Sequence, residues 1–351
     1  MKQDLHIKKL NDKILLEKFK KVLIITSEGH IKRGSIKKFV ENNKIKNFIV
    51  DTVNPFPTLS QIKYYQKKYS KKNFDLIISL GGGSVIDVAK IMSVILEENN
   101  KFKLELNDFY NFKDIDFPKI IKHIAIPTTS GSGAEATSFA TIWNFELKQK
   151  YSIENKSILP SDVLLDSTLL LTLNYENTLY SGLDALCHSI DTILNKYSNE
   201  NSLKLSLDAI HIINDYFFDL LTNLNSYNLR EEIQIASYKA GCAINFNKTS
   251  ITHALSYPLT LNYNVPHGLA CALFLEPVYE VFSENLKKES FHSILIEIIK
   301  KVKKLDLENK LKQYTSTIDK SYYNIKQLNN RIENFKYAVD NKSLNNIISK
   351  L

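Results

Sequence analysis

The chain has 351 residues, of which 44% are hydrophobic and 24% charged, with a formal net charge of +8. That length favours two domains with ample core, and the composition is that of an ordinary globular chain. Nearly all the positive charge is scattered lysine, with arginine only at positions 33, 230 and 331 and no accompanying nucleic-acid motif; this reads as solvated surface, compatible with an acidic substrate or a phosphate-bearing cofactor.

Residues 1–19 read as a polar lead-in with a short helix. Val22-Leu-Ile-Ile-Thr26 is a continuous apolar, β-branched run, the pattern of a buried parallel strand. A turn at Ser27 to His30 and a helix from Ile31 to Asn43 follow. Asn47 to Asp51 is a second strand, then comes a proline-containing loop and a helix from Leu59 to Lys72. A third strand, Leu76 to Leu80, runs straight into Gly81-Gly-Gly-Ser84 and a helix from Val85 to Leu96. Residues 99–118 read as polar loop, Lys122 to Pro127 as a strand ending in Thr128-Thr-Ser-Gly-Ser-Gly133, and 151–166 as strand-rich. Strands alternating with helices indicate an α/β domain over residues 1–166. After Asp166 apolar residues recur at three- and four-residue spacing, so residues 167–351 read as an all-helical domain, its tail carried by Ile332, Phe335, Ala338 and Val339.

Cys187, Cys242 and Cys271 form no CxxC and leave an odd count, which argues against disulfides and for a reducing, cytoplasmic setting. The N-terminus has no apolar signal region, and no apolar run reaches membrane-spanning length.

Chemistry concentrates at two places. In Gly81-Gly82-Gly83-Ser84, with Asp87 and Lys90 beyond it, glycines let a pyrophosphate approach the backbone and a helix start supplies N–H donors. The alternative is a tight turn with no ligand, but three consecutive glycines exceed what a turn needs. The hydroxyls of Thr128, Thr129 and Ser132 suit a nicotinamide and its ribose, although such loops are common. In the second half, Asp184 and His188 stand four apart on a helical stretch and share a face. Asp191 lies near that face as an acceptor for a ligand histidine. With the distant His253 and His267 they make a mixed O/N set suited to Fe²⁺ or Zn²⁺. Alone, an Asp-xxx-His pair is more often an ordinary polar pair. Cys187 points away from the shared face, so packing is its default.

Four separated motifs in order resemble the iron-containing (group III) alcohol dehydrogenase family: Gly81-Gly-Gly-Ser-x-x-Asp87-x-x-Lys90, Pro127-Thr-Thr-Ser-Gly-Ser-Gly-Ala-Glu135-Ala-Thr137, Gly182-Leu-Asp184-Ala-Leu-x-His188, and His253 to Pro266-His267-Gly268. The resemblance covers about residues 20–280. It implies the dehydroquinate synthase-like fold: an α/β dinucleotide-binding domain, an all-α domain and a cleft between them. It implies Asp184, His188, His253 and His267 as metal ligands, with NADPH or NADH across the Gly81 and Thr128 turns. It further implies hydride transfer between the nicotinamide and a carbonyl polarised by the ion. The chain departs from the family pattern at Ser27, where many members have Asp; at Tyr257, where many have His; and at Asp191, often Glu. Ser27 favours NADPH, because a carboxylate there would repel a 2′-phosphate. Tyr257 stands either as a proton donor or as a packed aromatic.

The stretch Ile244 to Thr260 resembles one branch, the phosphonoacetaldehyde reductases, in its Lys248-Thr249-Ser250 run before His253 and its Ser256-Tyr257-Pro258 after it. This implies reduction of phosphonoacetaldehyde to 2-hydroxyethylphosphonate. Lys248, Thr249, Ser250 and Thr252 would hold the phosphonate; the alternative is that they satisfy solvent and local backbone. A general short-chain aldehyde or alcohol, a lyase on the same fold and a non-catalytic binding module are the rival readings. The expected partners are a small aldehyde or alcohol and a second copy of the chain, with neither nucleic acid nor membrane.

Overall fold

The computed structural model describes residues 7–9, 16–97 and 112–351; the polar stretch 98–111 and most of the lead-in lie outside them. Contacts divide the chain into two compact units. One comprises residues 1–129 and 134–170, the other residues 130–133 and 171–351.

The first unit is built on a six-stranded parallel sheet. Its strands are β1 (Ile7–Lys9), β2 (Val22–Thr26), β3 (Phe48–Thr52), β4 (Leu76–Gly81), β5 (Lys122–Pro127) and β8 (Asp162–Leu165), in the order β1-β8-β5-β4-β2-β3. β2 and β4 are buried along their whole length, which is why they read as unbroken apolar runs. Alternation sorts their side chains to two cores. Leu23, Ile25 and Ile77 pack on one face with Tyr65 and Val88; Val22, Ile24, Leu76 and Ile78 pack on the other with Phe39. Each such buried aliphatic contributes about 1.5–3 kcal/mol.

Helices α1 (Glu28–Lys32), α2 (Ser35–Asn42), α3 (Leu59–Tyr69) and α4 (Gly83–Ile95) make the crossovers. The sequence predicts one helix from Ile31 to Asn43 after a turn. Instead the helix starts inside that turn, and Gly34 at φ 73 splits it. The lead-in, read as polar with a short helix, has a 3-10 turn at Leu16–Lys18 and also supplies β1, paired with β8. A hairpin of β6 (Phe139–Asn144) and β7 (Gln149–Glu154) forms a separate antiparallel ladder. Its first strand is absent from the sequence reading, for Phe-Ala-Thr-Ile-Trp does not alternate cleanly: Ile142 and Trp143 are buried in succession.

Lys90, fully buried on α4, ties the helix to this hairpin. Its ammonium donates to Thr137 Oγ1 at 2.8 Å and Phe139 O at 2.7 Å, and lies 3.5 Å from Asp87. The other Asp87 oxygen accepts from Thr141 N at 2.9 Å. Asp87, expected among the cofactor contacts, thus has both oxygens engaged beneath the turn. Glu135, buried nearby, is pushed up to about 7 from 4.5 by burial, against the pull of Lys90. Its folded value exceeds its unfolded one, so ionisation costs stability as pH rises from 4.5 through about 7. Glu135→Gln is therefore expected to raise stability by about 3 kcal/mol at pH 8 and to change little at pH 4, read by urea melts at both. Equal effects at the two pH values would refute this origin.

The second unit is helical among its described residues: α5 (Tyr175–Ile193), α6 (Glu200–Thr222), α7 (Tyr227–Asn247), α8 (Ile251–Tyr263), α9 (His267–Ala272), α10 (Leu275–Val281), α11 (Ser283–Leu286), α12 (His292–Lys303), α13 (Leu307–Leu311), α14 (Ile325–Ile332) and α15 (Asn341–Ile348). Side-chain caps start the long ones: Asn174 for α5, an Asn199–Ser202 capping box for α6 and Ser226 for α7. α5 is buried continuously from Gly182 to Ile193 and is the axis of this core. The tail packs on it through Ile332, Phe335, Leu344 and Ile347. No helix among the described residues is long and apolar enough to cross a membrane.

Candidate active site

In the first unit the chain leaves β2 for β3 at the sheet edge, then returns to β4 on the other side of β2. Loops after β2 and β4 therefore depart in opposite directions, and such a switch point opens a ligand crevice at the strand ends. Ser27 follows β2 there, partly exposed, as the N-cap of α1 and with no side-chain cap bond. The Gly81 and Thr128 turns lie on adjacent strands: Gly81 pairs with Pro127, and Thr128 N donates to Gly81 O at 3.0 Å. A Cβ on Gly81 would strike Val85 at 2.6 Å, so a larger residue would block the turn into α4. Gly83 and Ser84 open α4, whose first N–H groups have no partner within the helix and so could receive an anion.

Thr128 is oriented by a short relay. Arg33 Nη2 lies 3.3 Å from His30 Nδ1, and His30 Nε2 lies 3.0 Å from Thr128 Oγ1. Arginine only donates, so Nδ1 accepts, Nε2–H donates to Thr128, and the threonine hydrogen is directed elsewhere. Burial, then Arg33, lowers His30 to about 4 and keeps it neutral. Thr129 is partly exposed; Ser132 lies in the segment 130–133 that groups with the helical unit.

In the second unit Asp184 and His188 come from α5, His253 from the first turn of α8 and His267 from the start of α9. Gly268 allows the approach of α9 to α5, since a Cβ there would sit 1.8 Å from Tyr180 O. Asp184 Oδ1 is the meeting point: Nε2 of His253, His188 and His267 lie 3.5, 3.8 and 3.9 Å from it. Each ring is turned by its other nitrogen. His188 Nδ1 donates to Gly131 O at 3.2 Å, and His253 Nδ1 donates to Asp191 Oδ2 at 2.9 Å. His267 Nδ1 lies 3.5 Å from Ser256 Oγ, whose own hydrogen goes to His253 O. These bonds leave the Nε2 lone pairs of His188 and His253 directed at one point, the tautomer a metal ligand needs.

Asp191 is fully buried and accepts from Ser250 N, Thr252 N, Thr252 Oγ1, His253 N and His253 Nδ1. Those bonds lower its carboxyl against the effect of burial. Burial opposes ionisation of Asp184 too, yet His188 and then His253 hold it well below the carboxylate range. His253 runs the other way: burial opposes its proton, but Cys271, Asp184 and Asp191 hold it up. The pocket therefore attracts positive charge. Asp184 Oδ1 and His253 Nε2 are buried without a hydrogen-bond partner, a costly pairing of orphans unless a cation joins them. The residues present fit a divalent metal.

One neighbour escaped the sequence reading. Cys271 Sγ belongs with Asp184, His253 and His267 to a group whose ligand atoms all lie within 4.8 Å of one another. Its i,i+4 spacing from His267 is the signal that could have found it. Tyr257, partly exposed, stacks on His267 at 6.3 Å between centroids.

Of the four residues grouped for the phosphonate, the structure removes two. Ser250 donates to Asp191 O at 3.1 Å and Thr252 to Asp191 Oδ1 at 2.9 Å, both fully buried, so they serve the local framework. Lys248 is partly exposed and sits at φ 65, ψ 176, outside ordinary side-chain-bearing conformations. Asn195 holds that backbone, donating to Asn247 O at 2.9 Å and Lys248 O at 3.2 Å. Thr249, nearly buried, follows it.

Comparison with known proteins agrees across the chain. The profile of the iron-containing alcohol dehydrogenases matches residues 4–167, and that of the C-terminal part of the Fe-containing alcohol dehydrogenase family matches residues 178–348. The NADPH-dependent butanol dehydrogenase of Clostridium saccharobutylicum is 27% identical over 319 residues, covering 85% of this chain and 81% of that one. The NAD-dependent methanol dehydrogenase of Bacillus methanolicus is 27% identical over 278 residues, covering 78% and 71%. The crystal structure of an iron-containing alcohol dehydrogenase from Thermotoga maritima superposes with a TM-score of 0.78 at 25% identity, covering 96% and 93%.

Proposed function

Because the chain belongs to the iron-containing alcohol dehydrogenases, metal-dependent and NAD(P)-linked oxidoreductases of small alcohols and aldehydes, we propose that it reduces phosphonoacetaldehyde to 2-hydroxyethylphosphonate with NADPH. Asp184, His188, His253 and His267 would hold Fe²⁺, with Zn²⁺ as the alternative ion. The observation that carries the metal assignment is the buried pair of orphaned atoms, Asp184 Oδ1 and His253 Nε2. When bound, the ion supplies a Lewis acid at the substrate oxygen and the nicotinamide supplies the hydride.

The chain's own residues do the rest. Gly131 O and Asp191 fix the rings of His188 and His253, so the donor set needs little reorganisation. The N–H groups opening α4 at Gly83 and Ser84 receive the pyrophosphate, with Gly81 and Gly82 keeping side chains out of its way. Thr128, its lone pair taken by His30, donates to the cofactor, beside Thr129 and Ser132. Tyr257 supplies the proton that completes the alcohol.

NADPH is favoured because Ser27, the N-cap of α1, presents a hydroxyl where a carboxylate would repel the 2′-phosphate, with Arg33 exposed at the other end of this short helix. Lys32, the other candidate, is paired with Glu28 at 3.1 Å. Ser27→Asp is expected to shift the ratio of kcat/KM values toward NADH by about tenfold or more, one added like charge beside a phosphate. Wild type that ignores NADPH at saturating aldehyde refutes this preference.

Lys248 supports the substrate reading. A lysine held at positive φ by Asn195 retains backbone strain of about 1–3 kcal/mol, which favours a functional reason for its place. With Thr249 it would grip the phosphonate. Lys248→Ala should weaken phosphonoacetaldehyde reduction by about 1.5–3 kcal/mol, the range for a hydrogen bond to a charged group, and spare a neutral aldehyde of similar size. Equal losses on both, or no wild-type activity on phosphonoacetaldehyde, would instead favour the second reading, a neutral short-chain aldehyde, which the butanol and methanol relatives support. A panel of neutral and anionic aldehydes assayed with both reduced cofactors decides between them.

A further inference from the structure

We propose that Asn334, in the C-terminal tail, is a positioning residue for substrate specificity: it holds the backbone that presents Lys248 and Thr249. The inference rests on the phosphonate reading above and adds a residue to it.

Residues 248–250 join α7 to α8, so the backbone groups around them find no partner inside either helix. Two asparagines remote in sequence supply the partners. Asn195 Nδ2 donates to Asn247 O at 2.9 Å and to Lys248 O at 3.2 Å, and Asn334 Nδ2 donates to Thr249 O at 2.9 Å. Three successive carbonyls are thus held by two side-chain amides. The N–H groups of Ser250, Thr252 and His253 are held separately, by Asp191. The carbonyl clamp therefore governs Lys248 and Thr249, while the Asp191 clamp governs His253.

The two asparagines are tied to each other. Asn195, just past α5, pairs antiparallel with Phe335; Lys196 N donates to Asn334 O at 2.9 Å and Lys336 N to Leu194 O at 2.8 Å. Phe335 is buried and anchors the tail, its ring edge-on to Phe282 at 4.9 Å between centroids. Lys248 sits at φ 65, a conformation that a lysine leaves unless its surroundings hold it. Asn195 takes the Lys248 carbonyl and Asn334 the next one. Loss of the Asn334 bond lets the link spread over other conformations, and affinity falls by the fraction still competent. A neutral aldehyde that makes no use of Lys248 does not register that loss.

The test compares phosphonoacetaldehyde with a neutral aldehyde of similar size on the full chain, wild type and Asn334→Ala, with bound metal measured in each. The expected result is a rise of about fivefold in KM for phosphonoacetaldehyde, the equivalent of one net hydrogen bond. Its kcat, the metal content and the neutral aldehyde should stay near wild type. In a Lys248→Ala background the same substitution should raise KM much less, because the lysine it positions is gone. Asn334→Leu, similar in volume and without the donor, should repeat the Asn334→Ala result. Equal losses on both aldehydes, no loss on either, or full additivity with Lys248→Ala would overturn the positioning role and leave the phosphonate reading standing. Loss of folding or of metal in both Asn334 variants would overturn it too, since the clamp would then serve the helical core. Wild type inactive on phosphonoacetaldehyde would remove the phosphonate reading and this inference together.

Discussion

Asp184→Ala, His188→Ala and His267→Ala are each expected to reduce turnover to background and to leave the purified protein nearly metal-free. Asp184 is the largest of the three in effect, because its Oδ1 is the atom on which all three imidazoles converge at 3.5–3.9 Å. Its alanine variant loses the one carboxylate aimed at the ion. The remaining neutral rings then lack the charge that makes the pocket cation-seeking. His188→Ala removes a ring that stacks on His253 at 4.5 Å, so it also loosens a second ligand. Losses should exceed about a hundredfold in metal affinity, above the range for outer contacts. Double variants should be little worse than single ones, since the ligands act as a unit. Metal analysis paired with NAD(P)H consumption reads both consequences. Full activity in a metal-stripped wild type would defeat the assignment.

Asp191→Ala is expected to damage both stability and metal binding. Five donors converge on that carboxylate from residues 250, 252 and 253, and none of it reaches solvent. Removing it orphans buried N–H groups at the start of α8, where a helix has no internal partner for them. The cost should be about 3–5 kcal/mol, that of breaking a buried charged pair from one side. Metal affinity should fall by about 10- to 100-fold as the His253 ring loses its orientation. Asp191→Asn keeps the volume but turns an amide N–H₂ toward N–H donors, so it should rescue only part of the loss. The carboxyl is held below its ordinary value in the fold. Its stabilisation is therefore complete above the unfolded value near 4 and is lost only as pH falls through the lower folded value. Wild type and variant should thus differ most at neutral pH and converge in strong acid. An unchanged melting temperature in Asp191→Ala would show that the network carries no stability.

Much of the candidate site is legible in the sequence. An i,i+4 pair on a helix is a local geometry, so Asp184 and His188 declare a shared face in one dimension. Glycines in Gly81-Gly-Gly-Ser84 read as room for a pyrophosphate; what the structure shows at Gly81 is the need of the turn itself, its space closed by Val85. Strands β2, β4 and β5 are legible because burial on both faces leaves an unbroken apolar run. The hairpin strand β6 is not, since Thr141 and Asn144 interrupt a run whose partner is set by pairing and not by composition.

What the chain order alone determined was the fold class and the family: an α/β half with a glycine turn after its β4, and a helical half that carries a carboxylate and an imidazole on one face. What only the tertiary structure decided was how individual side chains are spent. Ser250 and Thr252 read as substrate donors until Asp191, some sixty residues earlier, is seen to take them. Asp87 read as a cofactor contact until Lys90 and Thr141 claim its oxygens. Cys271 read as one of three scattered thiols until the approach of α9 at Gly268 brings its sulfur beside Asp184 and His253. What decides each case is chiefly a partner remote in sequence. A polar group satisfies itself with whatever the fold brings within about 3 Å, and periodicity carries no record of that distance.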